Sequence, residues 1–147
     1  MAWVLRAPFA KVWAATEVPA AARQWAHWRR NQIGTWELMA AVCALNWLLR
    51  AGRPDLEIVC FVDNKSALGA LVRGCSRKSD WNALIGNLWL TVAEKAHFLH
   101  LWYVPSHLNL ADAPARPTEK AAALLELQEQ GFEGIEWSFP PDAPWAP

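Results

Sequence analysis

The apolar positions of this chain change their period several times, and each change marks an element. Ile58–Val62 is an unbroken apolar run, partly β-branched and short enough for a strand. It does not alternate, so it is expected to bury both faces, as a central strand with parallel neighbours does. Ala2–Arg6 and Lys11–Val18 flank a turn at Ala7-Pro8 and predict a hairpin. From Ile33 to about Leu49 runs the longest helical pattern. Met39, Val42, Cys43 and Leu49 recur at helical spacing, and Thr35 stands where an N-cap would. A second stripe of the same helix, Glu37, Ala40, Ala41, Ala44 and Leu48, is small and apolar and is expected to face the sheet.

The remaining elements follow the same logic. Ser66–Arg73 predicts a short helix stopped by Gly74. Ser79 is placed to cap a helix with apolar Trp81, Leu84, Ile85, Leu88 and Val92. His97–Val104 predicts a second apolar strand, on which His97 and His100 would point to opposite faces and so serve structure rather than one metal. Pro105–Arg116 reads as a turn followed by one helical turn, and Thr118 as the cap of a last helix that Gly131 closes. Pro19–Asn31 is a helical turn or a loop, in which Arg23, Arg29 and Arg30 interleave with Trp25 and Trp28. That surface is suited to tracking a strand, unless the tryptophans are buried. The expected division is one domain over residues 1–130 and a Pro- and Trp-rich acidic tail over 131–147, poorly ordered or draped on the surface.

Composition narrows the picture modestly. A chain of 147 residues, 54% apolar and 19% charged, is long enough for one domain with one core. It holds no apolar run of the ~18–20 residues that cross a membrane. Its start, MAWVLRAPFAK, has too short an apolar run for a secretion signal. The expectation is a protein that works inside the cell, in cytoplasm or nucleus, without a membrane. Cys43, Cys60 and Cys75 show no CxxC spacing and are expected to be reduced, two of them in the core. Residues 1–116 carry thirteen Lys/Arg against eight Asp/Glu, a net of +5, and residues 117–147 a net of −5. The body can therefore attract a polyanion while the tail cannot.

The candidate chemistry lies in three acids. Asp63 directly follows the Ile58–Val62 run, at the carboxyl end of a strand, where open α/β sheets place their chemistry. A simpler role for Asp63 or Asn64 is to cap the next helix. Glu37 heads the small apolar stripe, where a carboxylate is costly unless it has a partner or a metal, although a first-turn glutamate also suits the helix dipole. Asp112 follows the second strand, with Asn109 three residues before it and Arg116 four after. No zinc spacing, nucleophile elbow or phosphate loop competes with these acids. Hard oxygen ligands suit Mg²⁺ or Mn²⁺, and two such ions ~4 Å apart cleave phosphodiesters in line.

The segments TWELMAAV, IVCFVDNKSAL and VPSHLNLADAPAR occur in this order at distances that resemble the ribonuclease H domain of reverse transcriptases, retroelement type. The likeness covers about residues 1–125. It implies an α/β fold, a mixed sheet flanked by helices, and two-metal hydrolysis of the RNA strand of RNA–DNA hybrids. By motif match it implies Glu37, Asp63 and Asp112 as catalytic and metal-binding carboxylates and Mg²⁺ or Mn²⁺ as cofactor. It also implies a hybrid as partner, together with a reverse-transcriptase domain of the same polyprotein. Asn64, Asn109, Arg77 and Lys78 are the substrate-binding candidates. The family carries a further Asp on an opening strand ahead of the hairpin, whereas this chain holds no acid before Glu17. The expectation is therefore a sheet lacking that strand, with either impaired hydrolysis or an inactive module that binds nucleic acid or a reverse-transcriptase body.

Overall fold

The computed structural model describes residues 1–25, 32–50, 56–95 and 97–136. Their elements, in order, are β1 (Ala2–Ala7), β2 (Ala10–Ala15), α1 (Ala20–Trp25), α2 (Ile33–Arg50), β3 (Glu57–Val62), α3 (Lys65–Arg73), α4 (Ser79–Glu94) and β4 (Phe98–Tyr103). A 3₁₀ turn (Ser106–Leu108), α5 (Asp112–Ala115), α6 (Lys120–Glu129) and β5 (Glu133–Gly134) complete the series. The architecture is mixed α/β, as the alternating periods imply. The arrangement of Trp28, Arg29 and Arg30, and the helix end at Ala51-Gly52-Arg53-Pro54, lie outside the described residues.

The hairpin forms in the register Ala2↔Ala15 to Ala7↔Ala10, turning at Pro8-Phe9. β2 ends at Ala15 rather than Val18. Met1 and Thr16 make the last pair, with Thr16 N–H donating to Met1 O at 3.0 Å and the Met1 ammonium donating to Thr16 O at 2.9 Å. β3 and β4 are parallel, with Ile58↔Leu99 and Val62↔Tyr103 among their pairs.

Among the described residues, β1, β2 and β5 form a three-stranded mixed sheet and β3 and β4 a separate two-stranded one. β1 and β3 are thus each paired on one side only. Both pack against α2, and their buried side chains share one core, in which Trp3, Val12 and Ala14 meet Ile58, Val62, Leu38, Met39, Leu49, Trp81, Ile85 and Leu88. The Trp3 and Trp47 rings, 5.7 Å apart, link the hairpin to α2.

Several local expectations need correction. β3 is not buried on both faces: Ile58 and Val62 point into the core, while Val59 and Phe61 are exposed. An apolar run looks the same whether its second face is covered or open. The buried side of α2 is Thr35, Leu38, Met39, Val42, Cys43, Leu45, Leu48 and Leu49, so the stripe of Glu37, Ala40, Ala41 and Ala44 lies half-buried along its flank. Thr35 is inside the helix instead of capping it, since its amide already donates to Gln32 O. Ser79 is likewise the first residue of α4, after Lys78, and Glu119 rather than Thr118 precedes α6. Where the caps do hold, the chemistry is visible: Asn64 Oδ1 accepts from Ala67 N–H, and Gly74 closes α3 at φ 68°. Burial pushes the Cys43 thiol up to about 12 and the Cys60 thiol to about 11, so both stay protonated; Cys75 is exposed.

Residues 132–136 belong to the body and not to a tail. Phe132 is buried, Glu133 and Gly134 pair in parallel with Val12 and Trp13, and Ile135 N–H donates to Trp13 O at 2.9 Å. Residues 137–147 lie outside the described residues. A methyl carbon built at Gly134 would sit 2.7 Å from Trp13 Cζ2, so the strand approaches the indole as only glycine allows. Gly134→Ala is expected to cost about 1–2 kcal/mol through this overlap. In guanidinium chloride it should lower the unfolding midpoint without changing the slope. An unmoved midpoint would mean that β5 contributes nothing to holding the hairpin.

Candidate functional site

The site is built where β3 runs out and α2 begins. Asp63 follows the last residue of β3, and the chain turns at Asn64 into α3. The Asn64 amide faces two ways: Oδ1 accepts from Ala67 N–H at 2.9 Å, which caps α3, and Nδ2 donates to Glu37 Oε2 at 2.7 Å. A single side chain thus fixes the α3 turn and holds a carboxylate on the first turns of α2. A Cβ at Gly34 would lie 3.2 Å from Asn64 Nδ2 and 3.4 Å from Trp81 Cζ2, so α2 approaches this corner closely. Trp81 donates its indole N–H to Thr35 Oγ1 at 3.0 Å, and Lys78 Nζ lies 3.6 Å from the Trp81 ring centroid. Lys78 therefore reaches the start of α2 through Trp81, while Arg77 is exposed beside it.

Asp112 arrives from the other side, at the start of α5. Its amide donates to Asn109 O at 3.0 Å, and Asn109 Oδ1 accepts from Ala111 N–H at 3.1 Å. Asn109 shapes the turn that presents Asp112. Arg116, one turn on, donates to Asp112 Oδ2 at 2.6 Å and to Glu119 Oε1 at 3.1 Å.

The three acids share one electrostatic neighbourhood. Burial raises the pKa of Glu37 above the usual carboxylate value; the Asn64 hydrogen bond opposes this, and the charges of Asp63 and Asp112 add to it. The arrangement at rest is not a metal cage: among the described residues no group of three or more His, Cys, Asp or Glu side chains is set to hold an ion. Glu37 is bonded to Asn64 and Asp112 to Arg116. The donor set itself, three carboxylates, is of the kind that Mg²⁺ and Mn²⁺ take.

The raised acid has a definite pH signature. The folded state holds the Glu37 proton more tightly than the unfolded chain does. Between the ordinary carboxylate pKa and Glu37's higher folded value, rising pH therefore removes stability. Glu37→Gln keeps an acceptor for Asn64 and removes the charge, so it should raise the melting temperature at pH 7–8 and have little effect at pH 4. A melting difference that does not change with pH would show that Glu37 is not strained by its surroundings.

The two histidines are structural. His97, buried ahead of β4, accepts through Nδ1 from Leu56 N–H at 2.9 Å, and His100 Nε2 lies 3.2 Å from Glu57 Oε1 on the exposed face. The bond from Asn64 to Glu37 and the path from Lys78 through Trp81 to Thr35 had no local signal in the sequence. Their partners are 27 and 46 positions apart. Among the described residues, no helix is long and apolar enough to cross a membrane. Compared with protein-family models, curated proteins and solved structures, the chain matches none.

Proposed function

We propose that this chain is a ribonuclease H-like domain of a retroelement reverse transcriptase, acting on the RNA strand of RNA–DNA hybrids. The observation that carries this reading is the corner at Asn64. One amide ties the strand-end turn after Asp63 to Glu37 on α2, and Glu37 feels both Asp63 and Asp112. Metal-dependent phosphodiester hydrolysis needs acids from separate elements to converge at a strand end, and the influence of Asp63 and Asp112 on Glu37 supports that convergence. Glu37, Asp63 and Asp112 would hold Mg²⁺ or Mn²⁺, which supplies an activated water and stabilises the leaving oxygen. Asn64 orients Glu37, and Asn109 shapes the turn at Asp112.

Arg77 and Lys78 form the cationic side of this corner and are the candidates for phosphate contact. The partner beyond the hybrid is a reverse-transcriptase domain of the same polyprotein, and the setting is cytoplasm or nucleus. A second reading, an inactive module that binds the hybrid or packs on a reverse-transcriptase body, is favoured by two specific features. Asp112 is neutralised by Arg116 at 2.6 Å, and among the described residues β1 and β3 are each paired on one side only.

Binding is tested apart from cleavage. Arg77→Ala with Lys78→Ala is expected to weaken hybrid binding and to lower the slope of log affinity against log salt by about 1 per cation removed. Asp63→Asn should abolish any Mg²⁺- or Mn²⁺-dependent cleavage while leaving that slope intact. An unchanged affinity and slope in the double variant would remove this loop from the nucleic-acid surface. Cleavage that survives Asp63→Asn would overturn the catalytic reading.

A further inference from the structure

The carboxyl ends of β3 and β4 carry a lysine and a tyrosine to which the proposed chemistry gives no role. Tyr103 closes β4 beside Val62, and Val104 N–H donates to Val62 O at 3.1 Å. Asp63 is the next residue after Val62, and the chain beyond Val104 leads to Asp112, so Tyr103 stands between the segments that deliver these two acids. By alternation it shares a side with Leu99 and Leu101, the side on which α3 packs. Lys65, the first residue of α3, places Nζ 5.1 Å from the Tyr103 ring centroid. Both side chains are exposed, Tyr103 to 43%. Two other lysines lie over rings, Lys11 over Phe132 and Lys78 over Trp81, but Lys11 also donates to Gln130 O at 3.2 Å. Among the described residues the Lys65 ammonium meets the ring and no carboxylate.

We infer that Lys65 and Tyr103 form a nucleotide subsite beside the acids, with a strand phosphate on the Lys65 ammonium and the adjoining ribose against the Tyr103 ring. This rests on the reading of Glu37, Asp63 and Asp112 as a nucleic-acid site. Three carboxylates repel a polyanion, so a strand reaches them only where cations offset their charge. Arg116 is committed to Asp112 and Glu119, and Lys78 Nζ sits on the Trp81 ring at 3.6 Å. Lys65, two residues from Asp63, has no anion to give up. An exposed cation–π contact is weak, so moving the ammonium from the ring to a phosphate costs little. The same movement uncovers the ring for the nucleotide. A phosphate contact and an aromatic face take any nucleotide, so the subsite positions the strand and does not read its sequence.

Tyr103 is the single tyrosine of the chain, so labelling with meta-fluorotyrosine gives one fluorine resonance that reports on this ring. The full chain is titrated in Mg²⁺ with a short RNA–DNA hybrid, followed both by that resonance and by fluorescence anisotropy of the labelled hybrid. Circular dichroism melts confirm that each variant folds. The resonance is expected to shift saturably, with the same midpoint as the anisotropy. Lys65→Ala should weaken binding about tenfold and lower the slope of log affinity against log salt by about 1. Lys65→Arg should keep both. Tyr103→Leu should weaken binding at every salt concentration with the slope unchanged, and Tyr103→Phe should match the wild type. Hybrid binding with an unmoved resonance overturns the inference and leaves the nucleic-acid reading standing. So does a Lys65→Ala chain with the affinity and slope of the wild type. A wild type that binds no hybrid overturns that reading as well.

Discussion

Ten millimolar Mn²⁺ or Mg²⁺ is expected to raise the melting temperature of this chain, and Asp63→Asn to lose most of that rise. The cause is already visible in Glu37. Burial, then the charges of Asp63 and Asp112, disfavour its ionised form, and only the Asn64 amide opposes them. A divalent cation that drew Asp63 and Asp112 to Glu37 would relieve that repulsion and would bind the native state in preference to the unfolded chain. The affinity should be modest, because Arg116 already holds Asp112 and the cation must compete with it. A dissociation constant of about 1 mM gives ~1.4 kcal/mol at 10 mM, or about 4–6 °C for a domain of this size. Arg116→Ala frees Asp112 and should enlarge the shift. Equal shifts in the wild type and in Asp63→Asn would place the ion elsewhere.

Sequence reading succeeds here where the signal is local and fails where it depends on a partner. Trp81, Leu84, Ile85, Leu88 and Val92 repeat at helical spacing, and all five are buried. Gly74 ends α3 because a left-handed residue is needed there. Thr35 shows the opposite case. A threonine ahead of an apolar helical run looks like a cap, but its hydroxyl is the buried acceptor for Trp81, 46 residues away. Phe132 to Ile135 looked like tail, because no local pattern records that Val12 and Trp13 pair with Glu133 and Gly134. The site divides in the same way. Glu37 was readable as an acid on a small-residue stripe and Asp63 as an acid at a strand end. The Asn64 amide that joins them needs the folded chain, whereas Arg116, four residues after Asp112, stands at a spacing the sequence already shows.

The largest change in activity is expected from an added strand. β1 and β3 each leave one row of backbone N–H and C=O groups without a ladder partner among the described residues, and both lie against α2. A strand fused by a tight turn ahead of Trp3, apolar toward α2 and ending in Asp, would give the open row of β1 a ladder partner. Ladder bonds contribute about 0.5–1.5 kcal/mol each, so the extended protein should melt well above the parent. Its Asp would bring a fourth carboxylate to Glu37, Asp63 and Asp112, and a two-metal site would then have enough ligands to hold both ions. The parent is expected to cleave RNA in a hybrid weakly or not at all, since Glu17 lies beyond the end of β2 and cannot stand in. The extended protein should gain at least ~10³-fold in rate, which corresponds to ~4 kcal/mol of barrier. Asp63→Asn in the extended background should remove the gain. Higher stability without cleavage would favour the inactive binding module. Robust cleavage by the unextended chain would show that the site is formed by other acids than these three.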